Sequence, residues 1–233
     1  MAKKNWQSLK QLLNELNKNC NYIILRNYEN ISDESYYMKG HDDIDFLCDN
    51  RRLMYKTMGC RRSLLIRSKD HFFIKIKNVD VKVGVRYVGD GYYDKKWEEK
   101  MLSSKIMHPN GFYIMKQENY FYSLIYHALL QKKVFSEDYK ERLAVMGREF
   151  GQNAISELEW LEVLRSYMRN SNYIISAPVD LSVPLRKDLI CFLNDNEYDK
   201  AIIRWWWYKY FYILATGVVC KIMRKVARIF ARK

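Results

Sequence analysis

Apolar residues at Trp6, Leu9, Leu12, Leu13 and Leu16 recur at three- and four-residue steps, which predicts an amphipathic helix over 6–16. Tyr22 to Leu25 is a short apolar run that ends at Arg26-Asn27 and reads as a strand. After a polar, turn-rich stretch from Asn30 to Gly40, the chain alternates. Asp43, Asp45 and Leu47 fall on one face of a second strand, with Ile44, Phe46 and Cys48 on the other. Arg51 to Met58 reads as a helix. His71 to Ile76 and Val79 to Tyr87 are two more strands, joined by Lys77-Asn78, a pair suited to a two-residue hairpin turn. The second of them sets Val79, Val81, Val83 and Val85 against Asp80, Lys82, Gly84 and Arg86. Gly89-Asp90-Gly91 is a loop, Asp94 to Leu102 a short helix, and Phe112 to Met115 a further strand.

Beyond that point the period is helical: Asn119 to Lys132, Glu137 to Phe150, Ile155 to Met168, Leu185 to Asn194, and a long final helix from Ile202 to Arg232. The pattern predicts an α+β fold. A small mixed sheet with flanking helices occupies residues 1–115, a helical half packed against it residues 116–200, and a basic aromatic helix residues 201–233. No period of 20–50 residues repeats, which excludes a solenoid.

Composition sharpens this. Hydrophobic residues make up 48% of the 233, enough for a substantial core, and no biased tract reads as a disordered linker. The five cysteines, Cys20, Cys48, Cys60, Cys191 and Cys220, are odd in number and widely spaced, without a Cys-x-x-Cys pair. That argues against a disulfide framework or zinc site and for a reducing cytosol. The N-terminus is basic but lacks the apolar core of a signal peptide, so no export signal is expected. Net charge is +13, and eight of the positive charges lie after residue 200, in a stretch with no acid, leaving +5 on the rest. The excess is therefore concentrated in a tail suited to an anionic partner.

Candidate chemistry centres on Lys39-Gly40-His41-Asp42-Asp43-Ile44-Asp45. Carboxylates at i and i+2 of a strand project from one face, where their repulsion is relieved by a cation between them. Mg²⁺ or Mn²⁺ answers that need, since hard cations take carboxylate oxygens together with substrate phosphates. Such a metal would serve phosphoryl or nucleotidyl transfer. Lys82 and Arg86 share a face with Asp80 and are candidate phosphate ligands, as is His41 beside the carboxylates. Asp90 reads as a turn residue capping its own backbone, and His127, among Tyr120, Tyr122 and Tyr126, as a hydrogen-bonded core or edge histidine.

The run Tyr22-Ile23-Ile24-Leu25-Arg26-Asn27, a loop, and then Asp43-Ile44-Asp45-Phe46-Leu47 resembles the core of the nucleotidyltransferase fold (DNA polymerase beta-like), over about residues 20–90. More loosely, the chain is similar to LicD-like phosphotransferases of bacterial surface-polysaccharide assembly. The first resemblance implies that Asp43 and Asp45 are the metal pair and that a third carboxylate comes from a later strand, where Asp80 is the best match. It also implies a nucleotide or sugar-phosphate substrate, or a lipid-linked glycan. One departure is clear: Arg26-Asn27 stands where that fold has Gly-Ser, so Arg26 would meet phosphate through a guanidinium instead of backbone amides. Two other readings are a non-catalytic docking module of the same fold, and a toxin–antitoxin type enzyme modifying RNA or protein.

The final helix adds a location. Trp205, Trp206, Trp207, Tyr208, Tyr210 and Tyr212 are residue types of the membrane–water interface. They precede a stripe of Lys221, Arg224, Lys225, Arg228 and Arg232 opposite Ile222, Met223, Val226, Ile229 and Phe230. Residues 203–233 are thus expected to meet an anionic membrane surface, peripherally, on the cytoplasmic face. Nucleic acid would use the same charge, but the triple tryptophan favours lipid.

Overall fold

The computed structural model describes residues 4–31, 43–62 and 72–230, with side chains there except at 30, 61, 62 and 216–230. Among the described residues, eight strands form one mixed sheet: β1 (Asn5–Trp6), β2 (Tyr22–Ile24), β3 (Ile44–Cys48), β4 (Arg61–Arg62), β5 (Phe72–Ile76), β6 (Val79–Tyr87), β7 (Ile106–Met107) and β8 (Tyr113–Ile114). The order is β1-β5-β6-β3-β2-β8-β7, with β4 beside β5. At its centre β3 runs antiparallel to β2 and parallel to β6, with Ile44 opposite Val83 and Asp45 opposite Gly84. The β5–β6 hairpin turns through Lys77 and Asn78, both at positive φ (49° and 68°), as a two-residue turn of this hand requires.

Two helices cover one face, α1 (Leu9–Asn19) and α2 (Arg51–Met58). The expected start at Trp6 is corrected. Ser8 accepts from the Gln11 amide at 3.0 Å and caps α1 there, while Trp6 lies on β1 and donates its indole N–H to the Met58 carbonyl. Leu9, Leu12, Leu13 and Leu16 of α1 join Ile44, Phe46, Cys48, Val81, Val83 and Val85 in one apolar cluster.

The opposite face is covered by later helices: α3 (Lys95–Ser103), α4 (Gln117–Leu130), α5 (Glu137–Glu149), α6 (Glu157–Asn170), the short α7 (Lys187–Ile190) and α8 (Ala201–Phe230). Helix α4 is buried nearly all round and packs against α5, α6 and α7. Ile23, Leu25 and Leu47 of the sheet belong to the same apolar cluster as α3, α4 and α6, so one core spans sheet and helices. The expected helix over 185–194 shrinks to α7 because the chain tightens to i→i+3 bonds at Phe192 and Leu193. No helix among the described residues is long and apolar enough to cross a membrane.

Candidate functional site

The helical layer shields Leu47 but leaves the start of β3 open, so the two carboxylates ahead of it line a cleft. Its walls are Asp43 just before β3, Asp45 on β3, Gly84 and Arg86 on β6, Arg51 at the head of α2, Asp90, and Asp180 from the segment before α7. The cleft holds about 130 Å³. That is below the roughly 300–1,000 Å³ of sites that engulf a drug-sized ligand, and suits a phosphoryl group better than a whole nucleotide.

Each carboxylate has a cation. Asp45 Oδ2 lies 2.6 Å from Arg26 Nη2, and Asp43 Oδ2 lies 3.1 Å from Lys82 Nζ. Arg26 lies two residues beyond the end of β2, which is antiparallel to β3, and this delivers its guanidinium to Asp45. It is only 8% exposed and also donates to the hydroxyls of Tyr92 (3.1 Å) and Tyr93 (3.3 Å). Burial works against its charge, but Tyr92 and Asp45 outweigh that and hold it above the ordinary guanidinium range. Arg86 lies with its guanidinium 4.3 Å from the Tyr92 ring centre, and donates to Asp180 Oδ2 at 3.0 Å.

Tyr92 ties the cleft to the helical layer. Its hydroxyl and Gln131 Oε1 both lie 3.1 Å from His127 Nδ1. Burial, and then the charge of Arg26, push His127 well below the usual histidine range, so it is neutral at neutral pH. The loop before Tyr92 is fixed from two sides. Asp90 accepts from the amides of Tyr87 and Tyr92, and Glu98 from those of Gly89 and Tyr93. Gly91 sits at φ +73° against the Ala177 carbonyl, 2.2 Å from where a Cβ would be, so the segment carrying Asp180 can close over the loop.

The structure brings together Asp43, Asp45, Arg26, Lys82 and Arg86, five of the seven residues singled out in the sequence. His41 lies outside the described residues. Asp80 is not brought to the pair. The register puts Gly84 beside Asp45, and Asp80 is four residues further along β6, about 13 Å away at the usual strand rise. It does not line the cleft and lies 3.8 Å from Lys75 across the hairpin. A Cβ at Gly84 would stand 2.2 Å from Asp45 Oδ1, so the carboxylate occupies the space a side chain there would take.

No family model, no curated protein and no solved structure matches the chain. The site stands on its own geometry.

That geometry fits a partial metal set. Two carboxylate donors are the share a protein supplies when Mg²⁺ takes its other ligands from water and substrate phosphate. Among the described residues, no group of three His, Cys, Asp or Glu is placed to hold a metal by itself. Sequence reasoning missed Arg51, Tyr92 and Asp180. Asp180 carried no signal at all, being 94 residues from the arginine it pairs with.

Proposed function

We propose that the cleft binds a phosphorylated ligand together with a divalent cation, and that the chain is a metal-dependent nucleotidyl- or phosphotransferase. The observation that carries this is the pairing of Asp43 with Lys82 and of Asp45 with Arg26. In the free protein each carboxylate is neutralised by a basic side chain. Asp43 and Asp45 would hold Mg²⁺ or Mn²⁺, which when bound neutralises charge developing on the transferring phosphate. Lys82 and Arg26, released from the carboxylates, are then free to pair with phosphate oxygens, Arg26 through a planar fork. Arg86 keeps Asp180 and the Tyr92 ring as supports and offers a fixed positive charge. The nucleotidyltransferase-like strand pair, with its Asp-x-Asp on the middle strand, agrees with this reading. The acceptor proposed with it is a sugar phosphate or lipid-linked glycan.

The test is linkage between metal and phosphate. Mn²⁺ and inorganic pyrophosphate together should raise the unfolding temperature by more than the sum of their separate effects, since specific ligands stabilise by mass action. Asp43→Asn with Asp45→Asn should remove the synergy and leave the protein folded. A second reading, a docking module without catalysis, draws on Gly84, which puts no carboxylate on β6 at the position opposite Asp45. Pyrophosphate binding that ignores metal would establish that reading in place of the transferase.

A further inference from the structure

Helix α8 begins as part of the core and ends as something else. Ile202 and Trp205 are buried against the helical layer, and Lys209 Nζ reaches the Val183 carbonyl. On the outward side large apolar residues are exposed: Trp207 62%, Tyr208 64%, Tyr210 56% and Phe211 60%, with Leu214 continuing the row. A monomer rarely leaves so many aromatics together in water without a use for them. The helix runs unbroken to Phe230, about 45 Å from its start at the usual rise.

We propose that this outer face of α8 docks the protein on an anionic lipid surface, a claim independent of what the cleft does. Two observations choose lipid over a protein partner. The exposed residues are tryptophan, tyrosine and phenylalanine, whose amphipathic or flat rings settle at headgroup depth. From residue 201 to residue 233 the sequence holds eight basic side chains and no acidic one, which complements an anionic leaflet. The arrangement also has a consequence for the site. Val179 lines both the cleft and the groove that Arg204, Trp205 and Tyr208 of α8 form with Pro178 and Leu181. One short segment therefore separates the docking helix from the carboxylates, and sets the cleft beside the lipid surface.

The experiment floats the full chain with vesicles of phosphatidylcholine alone and of phosphatidylcholine mixed with phosphatidylglycerol. The expected result is strong flotation with the mixed vesicles, weak flotation with the neutral ones, and partial release by salt as the charges are screened. Trp207→Ser with Phe211→Ser alters only exposed side chains and should lower partitioning more than about tenfold. Arg224→Gln with Lys225→Gln and Arg228→Gln should do so on the anionic vesicles alone, since each charge near the leaflet counts. Brominated lipid should quench the tryptophan emission of the unaltered protein, a readout that needs no variant. The proposal is overturned by a full chain that ignores the mixed vesicles or shows no quenching. It is equally overturned by a Trp207→Ser, Phe211→Ser protein that floats as well as the original. Conversion of a lipid-free dimer to a monomer by that variant, without flotation of the original, would show that the face meets a second copy.

Discussion

The two faces of β3 and β6 are built from alternate residues of the same five- and nine-residue strands, and they do opposite things. Toward α1 and α2 the row Ile44, Phe46, Cys48, Val81, Val83 and Val85 is apolar and closed to water. Toward the helical layer the row is Asp43, Asp45, Lys82, Gly84 and Arg86, and becomes apolar only at Leu47. The first face is satisfied by any shape-matched apolar cover. The charged residues of the second each need a specific partner, and two partners come from afar, Arg26 from just beyond β2 and Asp180 from the segment before α7. Stability is stored in one face and, on the proposed function, chemistry in the other, so substitutions on the two should separate folding from binding.

The largest effect belongs to the closed face. Phe46 is fully buried, and Phe46→Ala should cost about 3–5 kcal/mol, the usual range for a core aromatic. Denaturant unfolding reads it directly. Any phosphate or metal binding by the surviving folded fraction should be unchanged, and a lost affinity in that fraction would mean the faces are not separable. Next is Arg26→Ala, which strands the half-buried Asp45 carboxylate and two tyrosine hydroxyls. Removing one partner of a buried pair typically costs about 3–5 kcal/mol, and Asp45, a quarter exposed, brings the expectation to about 2–3. The double change Arg26→Ala, Asp45→Ala should recover part of this, and additive losses in that cycle would show that the pair is not coupled.

Gly84 tests the contact between the rows themselves. Gly84→Ala drives a Cβ into Asp45 Oδ1, and because that carboxylate is held by Arg26 it cannot simply swing away. Overpacking of this kind costs about 1–3 kcal/mol. The same substitution in an Asp45→Ala background should cost little, since the clashing atom is gone. An equal cost in both backgrounds would place the strain elsewhere than at Asp45.

The same contrast explains what could be read in advance. Alternation at Val79–Tyr87 and Asp43–Cys48, the α1 stripe and the Lys77-Asn78 turn are local signals, and the elements formed where they predicted, apart from Trp6. Asp43 and Asp45 stood out because charged residues on an otherwise apolar strand demand an explanation. Asp80 did not join them because face is set by parity but position by register, and the pairing of Asp45 with Gly84 is a long-range fact. Tyr92 carries no local signal, and its roles on Arg26, Arg86 and His127 appear only once three segments meet.

A smaller, pH-dependent effect lies under the loop that carries Tyr92. Burial, and then the charge of Asp90, push Glu98 up to about 8. A carboxyl whose folded value is raised binds its proton more tightly in the fold. Its contribution is therefore complete below the unfolded value near 4.5 and is lost as pH rises toward about 8. Glu98→Gln lacks that dependence. It should be destabilised most at pH 5, by about 1 kcal/mol for one of its two amide bonds, and the gap to the original protein should narrow by pH 8. A gap that widens with pH would mean that Glu98 is held as a carboxylate.

The smallest stability effect should come from the second carboxylate pair. Lys82 and Asp43 are 3.1 Å apart, much like Arg26 and Asp45, but their side chains are 36% and 30% exposed. Water and salt screen such a pair, and ion pairs in this setting contribute about 0–1 kcal/mol. Asp43 also keeps other interactions when Lys82 is gone. Lys82→Ala should therefore leave the unfolding midpoint almost where it was. Its effect should appear in ligand binding: if Lys82 leaves Asp43 for phosphate when metal binds, the variant should bind Mn²⁺ alone at least as well as the original, because a competing cation has been removed. It should bind pyrophosphate with Mn²⁺ more weakly, because a phosphate partner has been lost. Opposite signs for the two affinities are the signature of a cation that changes partners. A variant that weakens both equally, or neither, would show that Lys82 only decorates the rim and that the exchange of partners at Asp43 does not occur.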